Sequence, residues 1–191
     1  MSTSAGVYIN LEFTPNPNTL KYSVNRTLLQ AGARNFITRA QAEADSPLAA
    51  RLFEIPGISG VMIGRDFVTV TKTEEGDWDV VHKNTSTVLE QHLTENLPVV
   101  TGESSQSSAS GHKGGGTAIE LKIREILDNE IRPAVAMDGG DITFEKFEDG
   151  VVYVYLQGSC AGCPSSTATL KMGIEKRLQE ALPEVREVVS I

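Results

Sequence analysis

Val7, Ile9, Leu11 and Phe13 alternate with polar neighbours, and Leu20, Tyr22 and Val24 repeat the alternation after Thr14-Pro15-Asn16-Pro17-Asn18. Period-two alternation on either side of a Pro- and Asn-rich turn predicts a pair of antiparallel strands. Ser46 followed by Pro47 is a helix start, a capping hydroxyl and then a first-turn proline, and Leu48, Leu52, Phe53 and Ile55 give that helix an apolar face that Pro56-Gly57 ends. Two more strands are expected at Gly60 to Ile63 and Phe67 to Lys72, then a helix from Asp79 to Glu95 with Val81, Val88, Leu89 and Leu93 turned inward. The expected order for residues 1–100 is ββαββα.

The pattern resumes at Thr117-Ala118-Ile119-Glu120, a capping box in which the Thr hydroxyl and the Glu carboxylate satisfy free amides at a helix start. Ile119, Ile123, Ile126 and Leu127 form the helix's apolar stripe, and Pro133 predicts a kink or an end. Asp138-Gly139-Gly140-Asp141 is a turn ahead of strands Ile142 to Phe147 and Val151 to Leu156, with Asp149-Gly150 as a hairpin signal between them. A loop from Gln157 to Pro164, a helix from Ser165 to Leu182 faced by Leu170, Ile174, Leu178 and Leu182, and a strand from Val185 to Ile191 complete an αββαβ order. Gly139 and Gly140 are open to two readings, keeping the loop that bears the cysteines open or making a tight turn that needs positive φ.

Thr101 to Gly116 reads TGESSQSSASGHKGGG, in which Gly and Ser dominate and no large apolar residue occurs. That composition predicts a flexible linker over 101–116, with domains at 1–100 and 117–191 that move semi-independently. The fold class expected is therefore α+β, two small sandwich-like domains on a tether. Eight basic against 11 acidic residues before position 102, and 8 against 13 from Thr117 onward, leave net charges of −3 and −5 within a total of −8. So acidic a chain is a poor match for nucleic acid, which is bound through concentrated Lys and Arg. The longest apolar runs fall far short of the roughly 20 residues that a membrane helix needs. With neither a secretory signal nor an Arg-rich presequence visible, the expected location is the cytoplasm, or the mitochondrial matrix if a presequence has been removed.

Candidate chemistry is concentrated in Cys160-Ala161-Gly162-Cys163-Pro164, which holds both cysteines of the chain at the junction of a strand and a helix. A helix N-terminus favours thiolate, the form that attacks disulfides and binds metals. Three readings of the pair compete: a dithiol redox couple with Cys160 or Cys163 as nucleophile, half of a zinc site, or half of an iron-sulfur site. Zinc or a 4Fe-4S cluster is commonly held by four thiolates and this chain offers two, so the simplest source of the rest is a second copy. A cluster shared in that way suits storage or transfer. His82, His92 and His112 lack ligand spacing and are expected at the solvated surface.

The segment Ile119 to Ile191 resembles the NifU C-terminal, or Nfu, domain of iron-sulfur cluster assembly, through Met137-Asp138-Gly139-Gly140-Asp141, Gln157-Gly158-Ser159 and the run from Cys160-Ala161-Gly162-Cys163-Pro164 to Lys171. The first half is similar to the Nfu N-terminal domain, through Thr14 to Lys21, Ser46-Pro47-Leu48-Ala49 and Asp66-Phe67-Val68-Thr69-Val70. The resemblance implies a scaffold or carrier, not an enzyme, that binds a 4Fe-4S cluster between two protomers through Cys160 and Cys163. It implies a homodimer when cluster-bound, upstream cluster donors, and delivery to apo iron-sulfur client proteins. A thiol-disulfide oxidoreductase using the same pair is the alternative.

Overall fold

The computed structural model describes residues 6–30, 32–101, 117–161 and 164–191. Apart from Thr101, the expected linker lies outside them. The described chain forms a two-domain α+β fold with two sheets, each backed by its own cluster of buried side chains.

The first sheet contains β1 (Ile9–Phe13), β2 (Thr19–Val24), β3 (Arg34–Phe36), β4 (Ile58–Ile63) and β5 (Phe67–Lys72), antiparallel throughout, in the spatial order β1-β2-β5-β4-β3. Two short helices, α1 (Arg39–Asp45) and α2 (Pro47–Phe53), precede β4, and α3 (Trp78–Thr94) follows β5. The Ser46 hydroxyl caps α2, accepting from the Ala49 amide at 3.0 Å, with Pro47 in the first turn as the sequence predicts. Leu20, Tyr22, Val61, Val68 and Val70 point into a core that includes Leu48, Leu52 and Leu89 from the helices. β3 and α1 are additions to the expected ββαββα order. Three residues are too few to show alternation, and α1 buries only Ala42.

The outer face of this sheet is where expectation and structure part. Registers across all five strands place Glu12, Lys21, Thr69, Met62 and Asn35 in one row. By alternation they should meet water, yet Thr69 and Met62 are each 1% exposed and Lys21 is 8%. Met62 and the neighbouring Phe67 are buried but belong to neither core cluster. The second domain meets Met62 through Gly158, while Phe67 packs beside Lys21 and Gly64.

That domain opens with α4 (Ala118–Ile126), capped by the predicted box: the Glu120 carboxylate accepts from the Thr117 amide at 2.8 Å, and the Thr117 hydroxyl accepts from the Glu120 amide. The helix runs past Pro133 without ending. A π-helical turn, Leu127–Ile131, precedes α5 (Arg132–Met137), and the Arg132 amide donates five residues back to the Leu127 carbonyl. Widening by one residue absorbs the proline, whose ring and missing N–H disrupt a regular α-helical turn. β6 (Gly140–Glu148) and β7 (Val151–Gly158) then form the hairpin, turned by Asp149 and Gly150 at φ +50° and +83°. Two successive positive φ values match the primed turn that Asp-Gly favours. After α6 (Pro164–Ala181), β8 (Glu187–Ser190) pairs parallel with β7 and completes a three-stranded sheet of order β6-β7-β8. Ile123, Val135, Ile142, Val152, Leu178 and Val188 fill the space between sheet and helices.

Candidate functional site

Cys160 stands where β7 has just ended and α6 has not begun. Cys163, the other expected ligand, lies outside the described residues, as does Gly162. The hairpin register decides what Cys160 meets. Gly140 pairs with Gly158 and Asp141 with Gln157, so the Asp-Gly-Gly-Asp turn lies against the cysteine loop although 21 positions separate Asp138 from Ser159. The Ser159 amide donates to the Gly139 carbonyl at 3.1 Å, and its hydroxyl donates to the Asp138 carbonyl. On the far side, the Thr167 hydroxyl donates to the Cys160 carbonyl at 3.0 Å, tying the loop to the first turns of α6.

Gly139 fits the turn reading, whereas Gly140 lies tight against the cysteine loop instead of keeping it open. Gly139 has φ +76°, a conformation that L side chains rarely adopt, and serves the turn. Gly140 serves close approach: a Cβ there would stand 2.3 Å from the Cys160 Sγ and 3.0 Å from the Gln157 carbonyl oxygen. A methyl group at position 140 and the thiol of Cys160 cannot share that space.

The environment reverses the electrostatic expectation. Cys160 is 5% exposed, and burial pushes its thiol above the usual range. The neighbouring Ser159 hydroxyl works the other way, while the negative charges of Asp138 and Asp141 add to the rise. Removing the sulfur from water and facing it with carboxylates both disfavour a thiolate. A neutral thiol poised beside acids is a poor resting nucleophile; a cation that replaces the proton reverses the sign of those same interactions. Cys160 also forms part of the wall of an open groove of about 600 Å³ between α5 and α6, lined in addition by Pro15, Val135, Asp138, Leu170 and Gly173.

Sequence reasoning missed the supports of this loop. Asp141, nearly buried, is held by the Arg132 guanidinium, with Nε 3.1 Å from Oδ1, and the same guanidinium reaches Asp128 at 2.7 Å and donates to the Ile142 carbonyl at 2.9 Å. Burial raises the Asp141 carboxyl above its ordinary range against the pull of Arg132. The Asp128–Arg132 spacing at i,i+4 was a visible signal; the approach of Asp141 depends on the hairpin. Of the histidines, His92 is buried rather than solvated and donates from Nε2 to the Pro98 carbonyl at 3.1 Å. His82 stacks on Tyr22, and His112 lies outside the described residues. Among the described residues no three His, Cys, Asp or Glu side chains gather to hold a metal ion.

Residues 123–189 match the model of the NifU-like domain, and residues 9–96 match that of the scaffold protein Nfu/NifU N-terminal domain. A human protein named NFU1 iron-sulfur cluster scaffold homolog, mitochondrial, is 41% identical over 186 residues, 97% of this chain and 72% of its own length. The chain belongs to the Nfu/NifU scaffold family. Proteins of the same name from Drosophila grimshawi and Drosophila ananassae are 36% and 34% identical over 96% and 100% of the chain. The chain spans 61% and 66% of those two family members. A solution structure of a NifU-like protein from Saccharomyces cerevisiae, 24% identical, aligns with 54% of this chain and 92% of its own, at a TM-score of 0.47.

Proposed function

We propose that this chain is an iron-sulfur cluster scaffold or carrier: two copies hold a 4Fe-4S cluster through Cys160 and Cys163 of each and pass it to apo-proteins. The observation that carries the reading is the setting of Cys160 at the strand-to-helix junction, with its thiol against Gly140, where a side chain would take the sulfur's space. The matching families and the names of the relatives support the cargo. The cysteine count supports the sharing, since a cluster held by four thiolates draws two from each copy. The resting thiol of Cys160, pushed up by burial, fits a ligand that ionises as iron arrives better than a standing redox nucleophile.

In this role the protein is a carrier and not a catalyst. Its partners are a second copy, an upstream cluster donor and client apo-proteins. Among the described residues no helix is long and apolar enough to cross a membrane. Cytoplasm and mitochondrial matrix are alternatives that imaging of the tagged full chain separates.

Anaerobic reconstitution of the full chain with iron and sulfide tests the reading. The expected outcome is a coloured protein with matching iron and sulfide. Cys160→Ser and Cys163→Ser should each remove the stable cluster while preserving the circular dichroism of the apo-protein. Stoichiometric zinc in place of iron, or a colourless protein that turns over disulfides through the same pair, would replace the reading with one of its rivals.

A further inference from the structure

The row Glu12, Lys21, Thr69, Met62 and Asn35 on the outer face of the first sheet has no part in the carrier chemistry, yet its centre is among the best-buried surface of the first domain. Its partner is specific. The Lys21 Nζ donates to the Met137 carbonyl at 3.0 Å, and the Thr69 hydroxyl donates to the Gly139 carbonyl at 3.2 Å. From the turn between β1 and β2, the Asn16 side-chain amide donates to the Ala161 carbonyl at 3.3 Å. Met62 lies so close to Gly158 that a Cβ there would stand 2.8 Å from its Sδ and Cε. Three side-chain donors of one domain thus meet three backbone acceptors of the other, and the acceptors lie on the segments that carry and flank Cys160.

Each donor is itself held in place. The Glu12 carboxylate, 3.0 Å from the Lys21 Nζ, orients that ammonium, which also lies 5.0 Å from the centre of the Phe67 ring. Thr69 sits between Lys21 and Met62 in the middle of the sheet. Asn16 is 6% exposed, and its side-chain oxygen accepts from the Asn18 amide at 2.9 Å, which aims the amide nitrogen outward. A buried polar group without a partner costs free energy, so these donors favour the closed arrangement.

We infer that the outer face of the first sheet is a docking surface for the cysteine-bearing end of the same chain, and that this docking alternates with the pairing of two copies. The second clause rests on the carrier reading. Two copies that share one cluster must bring their cysteine loops face to face, and in the closed chain the Ala161 carbonyl and the Gly139–Gly158 edge are taken by the first domain. Loading a cluster therefore requires the sheet to leave. The chain is its own competitor: the closed form shields a single half-site, and the open form offers it to a second copy.

Thr69→Glu sets a carboxylate against the Gly139 carbonyl and beside Asp138, and opens the chain without touching either core; Lys21→Met removes one donor while keeping the apolar stem. The full, reduced, cluster-free protein labelled at its methionine methyl groups should show a nuclear Overhauser contact between the Met62 methyl and the Gly158 α-protons. Thr69→Glu should lose that contact, Lys21→Met should weaken it, and both should keep the circular dichroism of the unsubstituted chain. Reconstitution should then load Thr69→Glu at least threefold faster. Absence of the contact in the unsubstituted chain would overturn the docking surface. An opened Thr69→Glu chain that loads no faster would overturn the competition, as would a Lys21→Met chain that weakens the contact without any gain in rate. If no protein takes up a cluster while the contact is present, the carrier reading fails and the docking surface stands.

Discussion

Gly140 and Gly173 are both glycines near Cys160, and the structure gives them opposite fates. A methyl group at 140 meets the Cys160 sulfur at 2.3 Å, so Gly140→Ala must displace the thiol or spread the hairpin. Overpacking of this kind costs roughly 1–3 kcal/mol, and we expect it to abolish cluster retention as well, read by iron content after gel filtration and by the melting midpoint. Gly173 lies within α6, with nothing within 4 Å of its hypothetical Cβ. Gly173→Ala should raise stability by roughly 0.5–1 kcal/mol, the usual gain from replacing glycine inside a helix, without changing iron content. Comparable losses of stability in the two variants would show that the close approach at 140 is not what the geometry implies. The repeated glycine in Asp138-Gly139-Gly140-Asp141 was legible as something that needs glycine; which residue serves the turn and which the sulfur depends on the pairing of β6 with β7.

At the scale of elements, His92 shows how α3 is anchored. Its ring is buried and donates to the Pro98 carbonyl, which fastens the chain beyond the helix to the helix's last turn. Burial lowers its pKa; the Pro98 hydrogen bond opposes that shift and the nearby Arg51 charge adds to it. The unfolded chain therefore takes up a proton near the ordinary value of 6.5 that the folded chain accepts only at lower pH. Stability from this group is fully present above that value and is lost as pH falls through the depressed one. Denaturant midpoints should drop on acidification below about pH 6.5, and His92→Gln, which can still donate to Pro98, should flatten the slope over that window. An unchanged slope would assign the acid sensitivity elsewhere. The element order was largely legible because alternation, caps and turns agreed: Ser46-Pro47, the Thr117–Glu120 box and Asp149-Gly150 all act where the sequence puts them. The exceptions have local causes. α1 lacks an apolar stripe, β3 is three residues long, and Pro133 signals a break that a π turn absorbs.

For the whole molecule, the proposed function makes cluster and dimer one equilibrium. If the cluster binds the pair and not the single chain, it draws chains together by mass action. Sedimentation should show the dimer dissolving when iron is chelated anaerobically, and dilution should release iron; a monomer with a full cluster would end the shared-site model. Lys21 and Thr69 mark the limit of reading at this scale. Polar residues at alternate strand positions read as solvent-facing, and only the packing of the second sheet against the first makes them interior. Their position also bears on biosynthesis. The first domain is complete once the chain beyond α3 has reached Thr101, but the surface that meets Met62 comes from the last third of the chain, and its sheet closes only with β8. At elongation rates of about 5–20 residues per second, synthesis from Thr101 to Ser190 takes roughly 4 to 18 s. Throughout that interval a folded nascent domain displays an apolar thioether without its final cover, a surface open to chaperones on the ribosome and to neighbouring nascent chains.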